Sequence, residues 1–372
     1  MEVKDMKVLQ VISGNDVGGG GNYVLNLSFY SKDKFQSIIG TIGGGGLYDK
    51  SKSMNIDTVK FKRAVTYDRY LIDYVRENHI DLVNFHGAKA FFMHYFLKNK
   101  IDVPTVATVH SDYRRDFLNN RIKYLFFTPL SALGLGSFKQ YICVSDYIKS
   151  LLGNQKFIGE KFVVNSGMDF NSRVIKESRE SIRARYNILE NDFVYVNVAR
   201  CHPIKNQLSL IEAFNMLKKQ IKDAKLMIVG DGPMEETLRQ KVAQLHLENR
   251  VIFTGYKPNA LDFANAGEVG ILTSFSEGGA PPMTLLESAA VKKYFIAPDV
   301  GDIGKVLGDN LISLINPNSV EDIYKKMREI YEERNEIYLK GEKLYDAVVD
   351  KFSIDSFCTK YYNAYTKILS EK

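Results

Sequence analysis

Two cations, Arg200 and Lys205, stand five positions apart in the segment Ala199-Arg200-Cys201-His202-Pro203-Ile204-Lys205-Asn206, between an apolar run and a helical pattern. A guanidinium and an ammonium at the start of a helix can close on a diphosphate and offset the charge that a leaving group gains. In a solvated loop the same pair would be incidental charge. Further along, Val269 to Ala290 reads as a short strand, the turn Ser276-Glu277-Gly278-Gly279-Ala280-Pro281-Pro282, and a helix that carries Glu287. Glycine amides, a helix N-terminus and carboxylates meet there, the groups with which parallel sheets hold phosphorylated ligands. A ribose diol can donate twice to one carboxylate, a natural role for Glu287.

A third candidate is the loop Gly14-Asn15-Asp16-Val17-Gly18-Gly19-Gly20-Gly21-Asn22, which follows an apolar run and precedes a helix. Without Cβ atoms its backbone can approach a phosphate or sugar closely, although a tight turn would use the same residues. It has neither the GxGxxG spacing of a dinucleotide fingerprint nor the Lys-Ser/Thr ending of a P-loop. A second run, Gly43 to Gly46, reads as a flexible turn. His110 and His86 each end a strand-like run, where a neutral imidazole can bond a substrate hydroxyl; His86 reads rather as structural. The six histidines form no His-x-x-x-His or His/Cys cluster, so no protein-bound metal is expected.

These residues need a scaffold, and the pattern of apolar runs supplies one. Lys7 to Ser13, Asp81 to His86, Thr105 to His110, Gln140 to Ser145 and Phe162 to Asn165 are short and apolar on consecutive positions, as strands covered on both faces are. Phe193 to Ala199, Ala224 to Val229, Val251 to Thr254, Val269 to Thr273 and Tyr294 to Ala297 repeat the pattern, with helical spacing at Asp68 to Asn78, Gln207 to Gln220 and Met234 to Leu245. Two successive α/β repeats in 372 residues predict two doubly wound, Rossmann-like domains. The expected division is 1–168, joined by 355–372 crossing back, and 169–354. The segment from Val320 onward is predicted to be helical.

Composition narrows the class. At 45% hydrophobic and 25% charged the chain is globular, and its three cysteines, far apart, imply neither a disulfide framework nor a zinc site, which suits a reducing compartment. No run of eighteen uncharged apolar residues occurs. Tyr124 to Phe138 is uncharged and aromatic but short and interrupted by Pro129; it reads as a buried segment or loop, or as a surface that grips a membrane or an apolar acceptor. Residues 1–170 hold 22 Lys or Arg against 16 Asp or Glu, while residues 171–372 hold 28 of each. A basic front half could face anionic lipid or a phosphorylated acceptor, or be an ordinary solvated surface.

Taken in order, Asn197-Val198-Ala199-Arg200 with Lys205, Ile228-Val229-Gly230-Asp231-Gly232-Pro233, Gly255 and Glu277 to Glu287 resemble the retaining, nucleotide-sugar-dependent glycosyltransferases of family 4. Gly18 to Gly21, His110-Ser111, Val144-Ser145 and Asn165-Ser166-Gly167-Met168-Asp169 match the family's amino-terminal domain and hinge. The resemblance covers nearly the whole chain. It implies the GT-B fold of the glycogen-phosphorylase-like superfamily: two Rossmann-like domains facing across a cleft, the first on the acceptor side and the second binding the donor.

The family also implies roles. Arg200 and Lys205 would hold the donor diphosphate, Glu287 the ribose, and Gly18, Gly19 and Gly20 the diphosphate side or acceptor mouth. Gly230 would lie in a loop behind the nucleotide, Tyr256 beside the base, and His110 beside the transferred sugar. Family members place seven residues between their two glutamates; here nine separate Glu277 from Glu287. Either the loop is two residues longer and Glu277 still reaches the sugar, or amides of Gly279 and Ala280 serve instead; Gly278 is expected on the donor side with them. The resemblance implies a UDP-sugar or other NDP-sugar as donor, no metal, a glycan or lipid-linked acceptor, no nucleic acid, and work on cell-envelope polysaccharide in the cytoplasm or at the inner membrane face. The alternatives are a noncatalytic nucleotide-sugar-binding scaffold and a UDP-sugar epimerase on the same fold.

Overall fold

The computed structural model describes residues 6–16, 18–62, 69–114, 121–155, 157–172, 174–279, 281–308 and 310–371, without the side chains of 121–124, 126 and 127. The chain divides into two units, one running to Gly167 and resuming at Ile354, the other Met168–Ser353.

The first unit holds strands β1 (Lys7–Ser13), β2 (Gln36–Ile42), β3 (Thr58–Phe61), β4 (Leu82–His86), β5 (Thr105–Val109), β6 (Gln140–Cys143) and β7 (Glu160–Val163). They pair in the order β3-β2-β1-β4-β5-β6-β7, every pairing parallel. The second unit holds β8 (Phe193–Val198), β9 (Ala224–Val229), β10 (Val251–Gly255), β11 (Val269–Ile271), β12 (Tyr294–Pro298) and β13 (Ser313–Ile315). Their order, β10-β9-β8-β11-β12-β13, is again parallel. In each sheet the order reverses beside the first strand, between β1 and β4 and between β8 and β11. Ligands of doubly wound sheets bind at that reversal, off the carboxyl ends of the strands.

The central strands are apolar because helices cover both faces: Val8 to Ile12 are buried in β1 and all six residues of β9 are buried. Each large side chain so buried contributes roughly 1.5–3 kcal/mol. Local signals set the helix starts. Ser145, Ser178 and Ser319 accept hydrogen bonds from the backbone N–H of Ile148, Ser181 and Asp322, capping helices Asp146–Asn154, Arg179–Arg185 and Val320–Glu332. The last helix, Ile354–Ser370, belongs to the first unit and sends Phe357, Tyr361 and Tyr365 into the same core as Val8 and Leu9.

Four sequence expectations need correction. The edge strands β3 and β13 had no predicted counterpart, and β7 begins two residues earlier than expected, at Glu160. Pro129 does not end a segment: it lies inside the helix Arg121–Leu135. There Gly134 backs onto the Phe91 backbone, where an added Cβ would come within 2.6 Å, so the helix packs closely on its neighbour although proline removes one of its own hydrogen bonds. Leu125 and Leu133 on this helix are exposed whereas Leu135 and Phe138 are buried, so the segment is divided between core and surface. Gly43 to Gly46 is no flexible turn. It packs backbone to backbone on the first glycine loop, with Leu47 N donating to Gly14 O at 3.0 Å, and it starts the helix Gly46–Ser53.

Candidate active site

In the second unit four loops at the carboxyl edge are stitched into one surface. The loop after β8 carries Arg200 and Lys205 and is held from behind by the loop after β9, where Cys201 N donates to Asp231 O at 2.7 Å and Met234 N to Cys201 O at 3.1 Å. Only glycine fits behind it. Gly230 (φ +144°) and Gly232 (φ +146°) would place a Cβ 2.1 Å from Ala199 O and 2.5 Å from Cys201 O. Gly230 N in turn donates to Gly255 O at 3.0 Å, which fixes the loop bearing Tyr256, an exposed aromatic. From the other side the loop after β11 is tied on: Phe275 N donates to Ile204 O at 2.9 Å, and the Thr273 hydroxyl to the carbonyls of Lys205 and Asn206 at 3.1 Å each.

That stitching delivers Glu277 to Lys205. Their carboxylate and ammonium stand 2.5 Å apart, both partly buried. Arg200 is exposed and makes no side-chain hydrogen bond or ion pair among the described residues, while Gln207 Nε2 pins its carbonyl at 3.0 Å. His202, between the two cations, is pushed below the ordinary imidazole range by burial and then by the charges of Arg200 and Lys205. Gln207 Oε1 and Ser274 Oγ are buried polar atoms with no hydrogen-bond partner among the described residues. Glu287 is half-buried on the helix Met283–Ala290, and Gly278 and Gly279 lie in the bend before it; Ala280 lies outside the described residues.

The first unit arranges different chemistry on the same plan. The glycine loop after β1 is buttressed by the loop after β2, where Gly45 (φ +139°) would put a Cβ 1.9 Å from Asn15 Oδ1. Asp16 organises it: its Oδ1 accepts from Gly18 N at 3.1 Å and Gly21 N at 3.3 Å, so two of the loop's amides are already engaged. Gly18 and Gly19 are exposed and Gly20 half-buried, and a Cβ on Gly20 would stand 3.8 Å from His110 Cδ2. His110, half-buried after β5, meets Tyr23 edge-on at 4.8 Å and lies 3.0 Å from Nδ1 of the buried His86. Burial pushes His110 down to about 4 and His86 well below the ordinary range, so both rings are neutral at pH 7. Asp16 was missed from sequence, although a turn-forming Asp just before a glycine run was the available signal.

Family models match both halves: residues 17–169 match Glycosyltransferase Family 4, and residues 178–343 match Glycosyl transferases group 1. The chain belongs to these glycosyltransferases. It is 26% identical over 200 residues to the N-acetyl-alpha-D-glucosaminyl L-malate synthase of Bacillus anthracis, an alignment covering 53% of this chain and 51% of that one. It is 25% identical over 304 residues to the O-antigen chain mannosyltransferase C of Escherichia coli, covering 78% of this chain and 76% of that one. The first of these relatives is therefore spanned over about half its length. Anabaena Alr3699/HepE, whose crystal structure was solved in complex with UDP-glucose, superposes with a TM-score of 0.82 at 17% identity, over 99% of this chain and 100% of that chain. The glycosyltransferase thus has the GT-B fold.

Within each unit the structure brings some of the predicted residues together. Arg200, Lys205, Glu277 and Gly230 share one loop surface in the second, and Gly20 lies beside His110 in the first. Among the described residues no three His, Cys, Asp or Glu side chains cluster as a metal site, and the three cysteines are buried and free. Among them, too, no helix is long and apolar enough to cross a membrane.

Proposed function

We propose that this glycosyltransferase moves a sugar from a nucleoside diphosphate sugar to a glycan or lipid-linked acceptor with retention of anomeric configuration. The observation that carries the reading is the loop after β8. It presents Arg200 in the open and Lys205 against a carboxylate, at the sheet edge where the strand order reverses. As the anomeric bond breaks, the departing diphosphate gains negative charge, and Arg200 from the open side and the partly buried Lys205 offset it. The acceptor hydroxyl attacks from the same face and passes its proton to a departing phosphate oxygen. Glu287 takes the ribose hydroxyls and Tyr256 the base. Gly18, Gly19 and Gly20 contact the acceptor side, since Asp16 already occupies amides that a phosphate would need.

Glu277 takes the part of the family's first glutamate. The longer loop still carries its carboxylate to Lys205, which supports reaction at the transferred sugar over a dead scaffold. His110 bonds a hydroxyl of that sugar. UDP-glucose in the similar Anabaena structure supports a nucleotide-sugar donor, and the O-antigen relative supports a glycan or lipid-linked acceptor. Exposed Leu125, Leu133 and Phe96 in the basic first half support work at an anionic cytoplasmic membrane face.

The test is a donor screen. Purified protein is given UDP-, GDP- and ADP-sugars with and without lipid-linked acceptors, nucleoside diphosphate release is followed, and the anomeric proton coupling of the product is read by NMR. Release stimulated by acceptor with an unchanged anomeric configuration supports the reading. Tight donor binding without turnover on any acceptor returns the scaffold, an inverted product removes the same-face route, and an epimerised sugar nucleotide returns the epimerase.

A further inference from the structure

The His86–His110 pair heads a buried chain of hydrogen bonds. His86 Nε2 lies 2.9 Å from Gln10 Oε1, and His86 Nδ1 lies 3.0 Å from His110 Nε2. Gln10, fully buried in β1, donates from Nε2 to the Tyr365 hydroxyl at 3.2 Å. Asn84 Nδ2 donates to the same hydroxyl at 2.8 Å, and the Thr108 hydroxyl donates to Asn84 Oδ1 at 2.9 Å. Every member belongs to the first unit, and Tyr365 comes from its last helix.

With the Gln10 amide oriented so, proton counting along this chain leaves one arrangement. An amide oxygen can only accept, so His86 Nε2 must carry the proton it gives to Gln10. A neutral imidazole has one ring proton, which leaves His86 Nδ1 as an acceptor. His110 Nε2 must then donate to it, and His110 Nδ1 is left bare. That nitrogen has no hydrogen-bond partner among the described residues.

We propose that His86 is a positioning residue that locks His110 in its Nε2–H tautomer, so that His110 Nδ1 meets substrate as a hydrogen-bond acceptor. The substrate group facing it is then a hydroxyl that donates, such as one on the transferred sugar, and an ether or carbonyl oxygen at that position is disfavoured. This specificity rests on the role proposed above for His110; the tautomer itself does not. The lock follows the general rule that the bond made by one ring nitrogen decides which nitrogen holds the proton. Its sense is set by the Gln10 amide: turned over, it would reverse every bond and make His110 Nδ1 a donor.

Long-range proton–nitrogen correlation spectra of histidine-labelled full-length protein at pH 7 read the tautomers directly. The expected result is His110 protonated at Nε2 with a bare Nδ1, and His86 likewise. Protonation of His110 at Nδ1 overturns the proposal. In His86→Leu the acceptor is gone, and His110 is expected to exchange between tautomers with turnover about tenfold lower. His86→Asn offers an oxygen near the former Nδ1 and should restore both the single tautomer and most of the turnover. An unchanged His110 spectrum in His86→Leu overturns the lock. Should that variant fail to fold, the wild-type and His86→Asn spectra still decide. If the spectra hold but His110→Ala leaves turnover intact, the lock stands and the sugar contact proposed for His110 fails.

Discussion

The two units build the same device and load it differently. In each, the loop after the first strand is backed by positive-φ glycines from the loop after the second: Gly43 and Gly45 behind Gly14 and Asn15, Gly230 and Gly232 behind Ala199 and Cys201. The backbone plan is common because both sheets reverse order at the same place. The chemistry is opposite. The second unit's loop offers two cations to an anion, whereas the first unit's loop already satisfies two amides with Asp16 and stands beside a neutral histidine backed by an uncharged buried chain. One fold thus gives one edge with two cations and another with a neutral histidine, which the reading proposed above assigns to a diphosphate and to hydroxyls, and the difference lies in side chains, not in topology.

The sharpest break of this contrast is Arg200→Ala. Removing an open cation should cost on the order of 10²–10³ in kcat with the melting temperature unchanged, because nothing in the described protein leans on its side chain. A kcat within threefold of wild type would make Arg200 incidental. Gly230→Ala tests the buttress. Its Cβ would meet a backbone carbonyl at 2.1 Å in a conformation that L-residues avoid, so denaturant unfolding should show a loss of about 2–3 kcal/mol or more. Unchanged stability would mean that the loop after β8 is free to move.

Acid should separate the units. His86 and His110, together with His94 at about 3, are held neutral in the first unit by burial. Their folded-state values lie below the ordinary 6.5, so the unfolded chain binds the protons first and stability falls as pH drops from about 6.5 toward 4. Hydrogen exchange at pH 5 should therefore show the first sheet opening before the second; the reverse order would contradict the neutral-histidine account. The smallest effect is expected at Glu277. Glu277→Ala frees Lys205 for the diphosphate, so turnover should fall about tenfold while the Kd for nucleoside diphosphate holds steady or tightens. A weakened diphosphate affinity would show that the carboxylate orders the loop instead.

Much of this was legible in the sequence. Central strands such as β1 and β9 read to the residue because they are buried on both faces and therefore continuously apolar. The edges were harder. β3 carries exposed Lys60 and β13 is three residues long, so neither leaves a run that rises above its surroundings. Arg200, Lys205 and Glu277 could be picked out because they follow strand ends, but the contact between Lys205 and Glu277 depends on backbone bonds from Phe275 and Thr273 that no spacing rule reports. His86 read as structural, and so it is buried, yet its partner His110 sits 24 positions away, just past the end of the neighbouring strand. Gln10 and Tyr365, 355 positions apart, lie beyond any local pattern.

Everything proposed for the donor turns on the loop after β8 gripping a diphosphate. Calorimetric titration with a nucleoside diphosphate and the matching monophosphate measures that grip as the difference between them. Wild type should bind the diphosphate at least about tenfold more tightly, and the combined Arg200→Ala and Lys205→Ala variant should bind both alike. Equal preference for the diphosphate in wild type and variant would contradict it.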